Sequence, residues 1–372
     1  MLKVLHVIQG CGGGVSSLVG NLVRSADKSQ VQQDVMSFSF ENGEVFVEEL
    51  KQNGCKLFLL PRPRKDGLGK FNQYMLDVLR AEGYDVVHCH TDGWRAILYR
   101  RLAKKAGVPL FCVHAHRAAN DPGFLGNSKL FIRLNQAISC KTADVRFACG
   151  RDAARFIFGT DENAVMIPNG IHPQQCHAAK CSDVTALKEE LGIPDDRMVI
   201  LQVGRLVTQK NHAFTVQIAR TLKAMGIAYR LLIVGTGGLE QSIRAELEEY
   251  GLTDDGSLLG RRNDIYRLMA MADVMILPSL YEGLPTVAVE AQAMGLPGIL
   301  SDTVTAECDM GLGLVWRLPI DDARCWAETI VFWDPGDLPD QERIDRILEE
   351  NAYTAEGAAQ RYFAALQQKQ GK

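Results

Sequence analysis

The sequence predicts an α/β protein made of two doubly wound, Rossmann-like domains, and three observations support this prediction. The chain of 372 residues is too long for one ordinary core and fits two domains of usual size. Short apolar segments alternate with helical patterns in two separate series, which indicates parallel sheets covered by helices. A turn at Pro168-Asn169-Gly170, followed by a polar stretch, separates the two series.

The first series of predicted strands covers residues 3–8, 34–38, 56–60, 85–90, 110–114 and 144–149. The turn after the first strand reads Gly12-Gly13-Gly14, where missing side chains would let a substrate approach the backbone. A glycine-rich first turn also occurs in dinucleotide-binding domains. The third glycine of that fingerprint and its acidic residue after the second strand are absent, so a nicotinamide-dependent oxidoreductase is the less favoured alternative.

Histidines end two consecutive strands of the first series. His88 and His90 end one of them, and His114 and His116 end the next. Neutral imidazoles can hydrogen-bond to sugar hydroxyls, so this placement favours function over packing. The inward alternating positions of His88 and His114 are nevertheless more typical of core histidines whose hydrogen bonds are satisfied.

The second series of predicted strands covers residues 198–203, 229–234, 257–260, 274–277 and 298–301. Arg205 and Lys210 lie in the turn after the first of these strands, and Asn211 is a natural N-cap for the helix predicted at residues 213–225. Two cations beside the amides of a helix N-terminus suit a diphosphate. Surface cations in a loop are the ordinary alternative.

Residues 278–291 are the most informative segment of the chain. They run from the end of a buried strand through a turn into an Ala- and Val-rich helix predicted at residues 286–294. Glu282 precedes this helix and Glu290 lies within it, so two carboxylates can accept hydrogen bonds from sugar or ribose hydroxyls. Glu290 stands among apolar residues, which favours a partner in a cleft over an exposed helix face. Hydroxyls and a diphosphate together indicate a nucleotide sugar.

With both clusters in place, the chain resembles the family-4 retaining glycosyltransferases of the GT-B fold, in the EpsF-like group for exopolysaccharides and capsular polysaccharides. Glu282 and Glu290 lie downstream of Arg205 and Lys210 and match the family's donor-site motif in order and spacing. The resemblance covers nearly the whole chain and includes these further segments: residues 4–8, 85–90, 114–117, 167–171, 203–206 and 279–285.

The resemblance implies two domains that face a central cleft. Residues 1–170 would bind the acceptor and residues 171–353 the nucleotide sugar, while a final helix at residues 354–369 would pack back onto the first domain. The implied activity is that of a hexosyltransferase. It would move a sugar from a nucleoside diphosphate sugar, expected to be a UDP-sugar, to a glycan or lipid-linked acceptor with retention, in surface polysaccharide synthesis.

In the implied mechanism, Arg205 and Lys210 neutralise charge on the departing diphosphate, helped by the amides of Thr286 and Val287 at a helix start. No metal or other cofactor is expected. The sequence lacks any Asp-x-Asp triplet, which is the usual metal-diphosphate device of the other large glycosyltransferase fold.

The remaining implied contacts involve the sugar and the nucleoside. Glu290 would bind the ribose hydroxyls, and Glu282 would hold sugar hydroxyls and stabilise an oxocarbenium-like state. His116 would contact the transferred sugar from the acceptor side, and Arg261 would flank the base.

The glycine turn of the first domain would also contact the donor, through Gly13 and Gly14. The sequence departs from the family pattern at two positions, one after the glycine turn and one at the domain hinge. Ser16 stands where many relatives carry an acidic residue, and His172 replaces the usual Asp after Asn-Gly-Ile. Neither change removes a donor contact.

Charge divides unevenly along the chain. Residues 1–170 hold 22 Lys and Arg against 16 Asp and Glu, whereas the remainder holds 19 against 29. A basic first domain could rest on an anionic membrane surface, and solvated helix faces explain the same residues equally well. Nucleic acid is not expected as a partner, because the basic residues lack interleaved aromatics and a recognisable module.

The ten cysteines show no C-x-x-C pairing, and Cys89, Cys112 and Cys149 fall within apolar strands. Reduced core thiols in a cytoplasmic protein are therefore expected. The first strand begins at once, without a signal-peptide pattern, and no apolar run approaches a membrane span. The expected location is the cytoplasm or the inner face of the plasma membrane. A same-fold nucleotide-sugar epimerase or a noncatalytic binding module remains an alternative function.

Overall fold

The computed structural model describes residues 1–11, 13–41, 43–120, 128–334 and 336–370, and Gly12 of the glycine turn lies outside them. The chain forms two compact units. The first unit contains Met1–Gly170 and the returning segment from Ala352, and the second unit contains Ile171–Asn351. None of the described helices is both long enough and apolar enough to cross a membrane.

The first unit is built on a parallel sheet whose strands are β1 Leu2–Val7, β2 Val31–Ser37, β3 Leu57–Leu59, β4 Val86–Cys89, β5 Leu110–Ala115, β6 Val145–Ala148 and β7 Ala164–Met166. The strand order is β3-β2-β1-β4-β5-β6-β7, and every pair is parallel. A parallel sheet needs both faces covered, which explains why its central strands are buried along their whole length.

The helices of the first unit are α1 Gly14–Arg24, α2 Glu44–Gln52, α3 Pro63–Asp66, α4 Leu68–Glu82, α5 Gly93–Ala106, α6 Lys129–Thr142 and α7 Arg151–Phe158, with α16 Ala355–Gln370 from the chain end. The small residues Ala358 and Ala359 of α16 bring it close to the sheet, and Tyr362 beside them is fully buried. These residues share one apolar core with strands β1, β4 and β6. The final helix is therefore part of the first unit's core.

The second unit repeats this architecture with the strands β8 Met198–Val203, β9 Tyr229–Val234, β10 Gly256–Gly260, β11 Val274–Leu277, β12 Gly298–Ser301 and β13 Val315–Leu318. The order is β10-β9-β8-β11-β12-β13, again with parallel pairs throughout. Its helices are α8 Pro173–Lys180, α9 Thr185–Glu190, α10 His212–Ala224, α11 Glu240–Glu249, α12 Ile265–Met271, α13 Thr286–Ala293, α14 Ala323–Phe332 and α15 Gln341–Glu350.

The predicted fold class is confirmed, and the eleven predicted strands are present with ends that shift by at most a few residues. Two edge strands were missed. β7 has three residues, too few to show a period, and β13 carries exposed Trp316 and part-exposed Arg317 beside a glycine-rich stretch. An edge strand needs less apolar surface than a central one, so its pattern is weak.

Both sheets have a point where the strand order reverses direction, between β1 and β4 in the first unit and between β8 and β11 in the second. Loops that leave neighbouring strands at such a point run to opposite faces of the sheet and open a crevice. In parallel α/β sheets this crevice at the carboxyl ends of the strands is where ligands bind. Most candidate residues of both units follow these strands, whereas His116 follows β5 and Arg261 follows β10.

Candidate active site

In the second unit, the loops that follow β8 and β11 are held together at the reversal point. The amide of Leu280 donates to the carbonyl of Gln209 over 2.8 Å. The side-chain amide of Gln209 in turn donates to the carbonyl of Tyr281 over 2.9 Å and to Glu282 Oε2 over 3.1 Å. One residue thus joins the two loops through both its backbone and its side chain.

Lys210 and Glu282 form an ion pair between these loops. Lys210 Nζ lies 2.6 Å from Glu282 Oε1, and only 12% of the Lys210 side chain and 9% of the Glu282 side chain are exposed. Both charges have lost most of their hydration, so their mutual contact and the Gln209 hydrogen bond must compensate. The structure therefore brings together one predicted cation and one predicted carboxylate.

The backbone of Lys210 is held by the fully buried side chain of Gln202 in β8. The Gln202 side-chain amide donates to the Lys210 carbonyl over 3.0 Å, while its oxygen accepts from Thr215 Oγ1 at 2.8 Å. His212 Nδ1 lies 3.0 Å from the same Gln202 oxygen. Because these three contacts use both ends of the buried Gln202 amide, they fix its orientation and tie the loop carrying Lys210 to the first turn of α10.

Two glycines let the loop pack tightly. A Cβ on Gly204 would lie 2.9 Å from Lys210 Cε, so the lysine stem occupies the space of a missing side chain. Gly235, after β9, has φ +144°, and a Cβ there would overlap the Gly204 carbonyl. Only glycine adopts that conformation without strain.

Arg205 lies at the carboxyl end of β8, and its side chain is exposed. It makes no hydrogen bond or ion pair with the residues that the structure describes, whereas its carbonyl lies 3.2 Å from His212 Nε2. Arg205 is thus not drawn into the Lys210–Glu282 pair. Arg261 follows β10 and is exposed, and its neighbour Arg262 is paired with Asp264 and Glu190.

Glu290 lies one turn into α13, the helix that begins at Thr286 and continues with Val287. Its carboxylate accepts a long hydrogen bond of 3.4 Å from the Tyr266 hydroxyl. Burial raises the pKa of Glu290 to about 7, and the Tyr266 hydrogen bond opposes that shift. Glu290 thus changes charge near neutral pH and belongs to a different local group from Glu282.

The expected N-cap contact of Asn211 is wrong in one respect. Asn211 does precede α10 and adopts a left-handed conformation with φ 53°, but its side chain accepts no capping hydrogen bond. The residue is used here for its tolerance of positive φ, which asparagine shares with glycine.

In the first unit, five histidine rings meet at the carboxyl ends of β1, β4 and β5. His116 Nε2 lies 2.9 Å from His90 Nδ1, and His90 Nε2 lies 3.2 Å from His6 Nδ1. A second row joins His114 to His88 over 3.3 Å. Burial lowers the pKa of His116 to about 4, with a small opposing effect from Asp92, so His116 is neutral at physiological pH.

His88 and His114 are both expected from the sequence to be core histidines with satisfied hydrogen bonds, and this is correct for His88 and wrong for His114. His88 is buried and bonded on both ring nitrogens, to His114 and to the Tyr362 hydroxyl at 2.9 Å. His114 is also buried, but its Nε2 has no hydrogen-bond partner within the described part of the chain. The expected burial of Cys89 and the other strand cysteines is confirmed.

Gly13 and Gly14 form the start of α1. Gly13 has φ +77°, and a Cβ on Gly14 would lie 2.6 Å from the side-chain nitrogen of Asn169. The Pro-Asn-Gly turn therefore packs directly on the glycine turn within this unit. Replacement of Gly14 would push Asn169 away from its position.

Several residues of the site carried no usable signal in the sequence. Gln209 and Gln202 look like ordinary polar positions, since glutamine has no preferred place in a strand-to-helix loop. His6 lies within the first strand, at a position that alternation assigns to the core. Tyr266 lies on a helix distant in sequence from Glu290. Only the three-dimensional structure shows what these side chains contact.

Two known protein families match the chain. Residues 13–170 match the family described as "Glycosyl transferase 4-like domain", and residues 183–310 match "Glycosyl transferases group 1". A Bacillus subtilis (strain 168) protein named as the glycosyltransferase EpsF is 36% identical over 361 residues, which are 95% of this chain and 93% of that relative.

Two further proteins share the fold or part of the sequence. The Escherichia coli UDP-Gal:alpha-D-GlcNAc-diphosphoundecaprenol alpha-1,3-galactosyltransferase is 30% identical over 240 residues, 62% of this chain and 61% of that enzyme. The crystal structure of Anabaena HepE in complex with UDP-glucose superposes with a TM-score of 0.72 at 17% identity, covering 99% of this chain and 95% of that one. This last likeness is one of fold.

Proposed function

Because the chain belongs to the family-4 glycosyltransferases of the GT-B fold, in the EpsF-like group, we propose that it transfers a sugar from a nucleoside diphosphate sugar to a glycan or lipid-linked acceptor with retention. The observation that carries the donor part is the Lys210–Glu282 ion pair, which lies where β8 and β11 diverge. A cation and a carboxylate at this point can bind a diphosphate and the hydroxyls of the sugar attached to it.

The diphosphate would be stabilised as it leaves. Lys210 supplies a cation that is held in place before the substrate arrives, and exposed Arg205 supplies a second cation that can move onto the phosphates. The first amides of α13, at Thr286 and Val287, would add partial positive charge. Donors that are fixed in advance stabilise a transition state more than mobile ones, because little reorganisation is needed during the reaction.

The sugar and the nucleoside would be bound by the carboxylates. Glu282 would accept hydrogen bonds from the sugar and stabilise positive charge at the anomeric carbon, and Gln209 keeps its carboxylate in place over 3.1 Å. Glu290 would accept from the ribose hydroxyls, with Arg261 beside the base. In the first unit, His116 and the Gly13-Gly14 backbone would contact the sugar or the acceptor.

We propose UDP-sugar as the donor and surface polysaccharide as the product. The E. coli relative carries both UDP-Gal and a lipid diphosphate in its name, and HepE was solved with UDP-glucose. With Lys210 and Arg205 available for the diphosphate, transfer would need no metal. Full activity after exhaustive treatment with EDTA is the expected result, and strict dependence on added Mg²⁺ or Mn²⁺ would contradict it.

A thermal-shift screen with UDP-, GDP- and ADP-sugars tests the donor site. A donor present at 100 to 1,000 times its dissociation constant should stabilise the protein by roughly 3 to 4 kcal/mol. The Glu282→Gln variant serves as the matched control, since the shape of the site is kept while the charge is removed. The proposed donor site is refuted if no nucleotide sugar changes the melting temperature of the wild-type protein.

Product analysis with a labelled donor tests the reaction class. A transferase releases the nucleoside diphosphate and labels an added acceptor, such as an undecaprenyl diphosphate sugar. Epimerisation of the donor without an acceptor would assign the alternative activity. Inversion at the anomeric carbon of the product would contradict retention.

A peripheral membrane location is proposed from an exposed face on α5 and α6. Leu130 is 80% exposed, and Trp94, Phe131 and Leu134 are also exposed large apolar residues. Lys129 and Arg133 lie on the same helix as Leu130. Apolar side chains bordered by cations suit the interface of an anionic bilayer. The ten cysteines form no disulfide in the described part of the chain, which agrees with a reducing compartment.

Vesicle flotation tests this location. Wild-type protein should float with vesicles of anionic phospholipid and remain free with neutral vesicles. The double variant Leu130→Ser, Leu134→Ser should lose most of the bound fraction. The matched control is Leu59→Ser, which changes an exposed leucine elsewhere in the first unit. Equal flotation of all three proteins would contradict the proposal.

A further inference from the structure

The five histidines of the first unit are ordered in two hydrogen-bonded rows, and the proposed reaction uses only His116. The first row, which we call the imidazole row, consists of Gln33, His6, His90 and His116. Its distances are 2.9 Å from Gln33 Oε1 to His6 Nε2, 3.2 Å from His6 Nδ1 to His90 Nε2, and 2.9 Å from His90 Nδ1 to His116 Nε2.

One end of the imidazole row has a fixed polarity. The side-chain nitrogen of Gln33 donates to the Leu22 carbonyl over 2.8 Å, which turns the amide oxygen toward His6. An amide oxygen can only accept a hydrogen bond, so a neutral His6 must carry its proton on Nε2. Its Nδ1 is then an acceptor.

The same reasoning passes along the row. Because His6 Nδ1 accepts, His90 must donate from Nε2 and accept at Nδ1. Because His90 Nδ1 accepts, His116 must donate from Nε2. His116 then has an unprotonated Nδ1. Every other ring nitrogen of the row takes part in one of the row's three hydrogen bonds.

The rings are neutral, as this reasoning requires. Burial lowers the pKa of His6 to about 4, with a small opposing effect from Gln33, and it lowers the pKa of His90 well below the usual value. Among the residues that the structure describes, the titratable groups that face the row are His88, His114, Tyr362 and Asp92. Asp92 forms an ion pair with Arg117 at 3.1 Å.

We propose that Gln33, His6 and His90 are positioning residues that hold His116 in its Nε2–H tautomer, so that Nδ1 of His116 is presented as a hydrogen-bond acceptor to a substrate hydroxyl. The identity of that hydroxyl rests on the proposed function, whereas the tautomer does not. An acceptor at this position would orient a hydroxyl through its own hydrogen and leave the oxygen lone pairs available. A donor at the same position would engage those lone pairs.

The second row has no such fixed end. Tyr362 can donate or accept at His88, and His114 Nε2 has no partner within hydrogen-bond distance and angle among the described residues. Its rings stack on the first row, with His114 and His116 4.2 Å apart and 17° from parallel. We assign this row a packing role.

A cation is the competing occupant of the cluster. Nitrogen atoms of His90, His114 and His116, and those of His6, His88 and His90, lie within 4.8 Å of one another. Metal ligation requires the in-plane lone pairs of the rings to converge on one point. The facing nitrogens of His6 and His90, and those of His90 and His116, share a proton, so their lone pairs point at each other and not at a common cation. The rings of His90, His114 and His116 are also within 23° of parallel, whereas His6 and His88 are tilted by 50°.

Long-range ¹H–¹⁵N spectra of the histidines test the proposal on the free protein, because they separate Nδ1–H from Nε2–H tautomers. The wild-type protein should show His6, His90 and His116 as Nε2–H. In Gln33→Met, His6 loses its acceptor, and His116 should become a mixture of tautomers although two rings separate it from residue 33. The control Gln32→Met changes the adjacent residue of β2, which bonds to Asp34 instead, and should leave His116 unchanged.

A second pair of variants guards against misfolding at position 33. His90→Gln offers an amide oxygen to His116 and should preserve its Nε2–H form, whereas His90→Leu should not. Combining Gln33→Met with His90→Gln should have no further effect on His116, since the link to residue 33 is already replaced. A merely structural role would give no such pattern.

Kinetics give the second readout. Gln33→Met should lower kcat by roughly tenfold with little change in the KM for the donor, the size of effect typical of residues that orient a functional histidine. An Nδ1–H tautomer at His116 in the wild-type protein, or an unchanged tautomer in both Gln33→Met and His90→Leu, overturns the proposal. So does tight binding of Zn²⁺ or Co²⁺ that shifts the signals of this cluster. Correct tautomers in a protein without transferase activity would refute the proposed function and leave the imidazole row standing.

Discussion

The two units have the same fold and the same strand order around the reversal point, yet they carry opposite chemistry there. At the carboxyl ends of β1, β4 and β5, the first unit presents neutral imidazoles bonded to an amide and a phenol. At the ends of β8 and β11, the second unit presents a buried ion pair. A shared fold fixes where functional side chains lie, and the side chains themselves decide what can bind.

Net charge gives a misleading guide to these roles. The first unit carries 25 Lys and Arg against 17 Asp and Glu, whereas the second carries 16 against 28. The proposed site for the polyanionic donor is nevertheless in the acidic unit, since a few cations at a strand end determine the local potential. The excess of positive charge in the first unit suits the anionic membrane surface that we propose as its partner.

The largest effect should come from breaking the ion pair. Lys210→Met and Glu282→Gln should each lower kcat by roughly 10²- to 10³-fold, because each removes a fixed charge that stabilises the transition state. Lys210→Met also leaves a carboxylate buried without its cation and should lower the free energy of unfolding by roughly 3 kcal/mol. Single-turnover kinetics and denaturant titration measure the two effects.

The double variant separates stability from activity. With both charges removed, most of the lost stability should return, while activity should remain at the level of the worse single variant. A double variant as unstable as Lys210→Met would show that the pair is not an isolated electrostatic unit. Normal activity in either single variant would remove the pair from the mechanism.

A comparison of two histidines should sharpen the contrast between the units. His116→Ala should lower kcat by about 10²-fold and change the melting temperature little, since loss of a catalytic hydrogen-bonding group typically has this size. His212 is buried, with Nδ1 3.0 Å from the Gln202 amide oxygen and Nε2 3.2 Å from the Arg205 carbonyl, and its N–H donates to one of these acceptors. His212→Ala should lower the free energy of unfolding by roughly 1 to 3 kcal/mol because buried polar partners lose their bonds.

These outcomes are read by chemical denaturation together with initial rates at saturating donor. If His116→Ala proved as unstable as His212→Ala, the row of imidazoles would be core packing and nothing more. If His212→Ala alone reduced activity, the functional histidine would lie in the other unit.

The fold could be read from the sequence because parallel strands buried on both faces are continuous apolar runs. Residues 198–203 and 274–277 were therefore located to the residue. The strand-end positions of Lys210 and Glu282 followed from the same reading, since loops at carboxyl ends of parallel strands carry ligand contacts.

Contacts that depend on side-chain direction could not be read in this way. No sequence pattern marks Gln33, Gln202 or Gln209 as part of a site. Their roles depend on the side chains and carbonyls that they contact in the folded protein. His6 and His114 are buried, as the alternation of their strands predicts. Their hydrogen bonds to the other histidine rings could not be predicted from that alternation. Sequence spacing places residues on elements, but it does not give the polarity of a hydrogen-bond network.

A smaller effect is expected from the residue that joins the two donor loops. Gln209→Leu keeps the size of the side chain but removes its hydrogen bonds to Tyr281 and Glu282. The Glu282 carboxylate would keep Lys210 and lose its second support, so kcat should fall by roughly tenfold. Gln217→Leu, a change on the outer face of α10, is the matched control for rate measurements. Equal rates in both variants would show that Lys210 alone orients Glu282.

The smallest effect on function is expected at Glu290, whose charge depends on pH near neutrality. Burial raises its pKa to about 7 from an ordinary 4.5, so between these values the unfolded chain releases a proton that the folded protein keeps. Stability from this group is therefore present below pH 4.5 and is lost as the pH rises through 7. Glu290→Gln, which cannot ionise, should match the wild-type melting temperature at pH 5 and exceed it at pH 8.

Nucleotide binding should move in the opposite direction. Because the ionised carboxylate is the stronger acceptor for ribose hydroxyls, wild-type affinity for UDP should rise roughly three- to tenfold from pH 5.5 to pH 8, while Glu290→Gln should bind weakly at both. Isothermal titration at the two pH values measures this, with Glu249→Gln on the exposed face of α11 as the control for general charge effects. Parallel pH profiles for wild type and Glu290→Gln would mean that the ribose contacts another group. If the stability of wild-type protein falls with rising pH while its affinity for UDP rises, then ionisation of Glu290 destabilises the free protein and strengthens nucleotide binding.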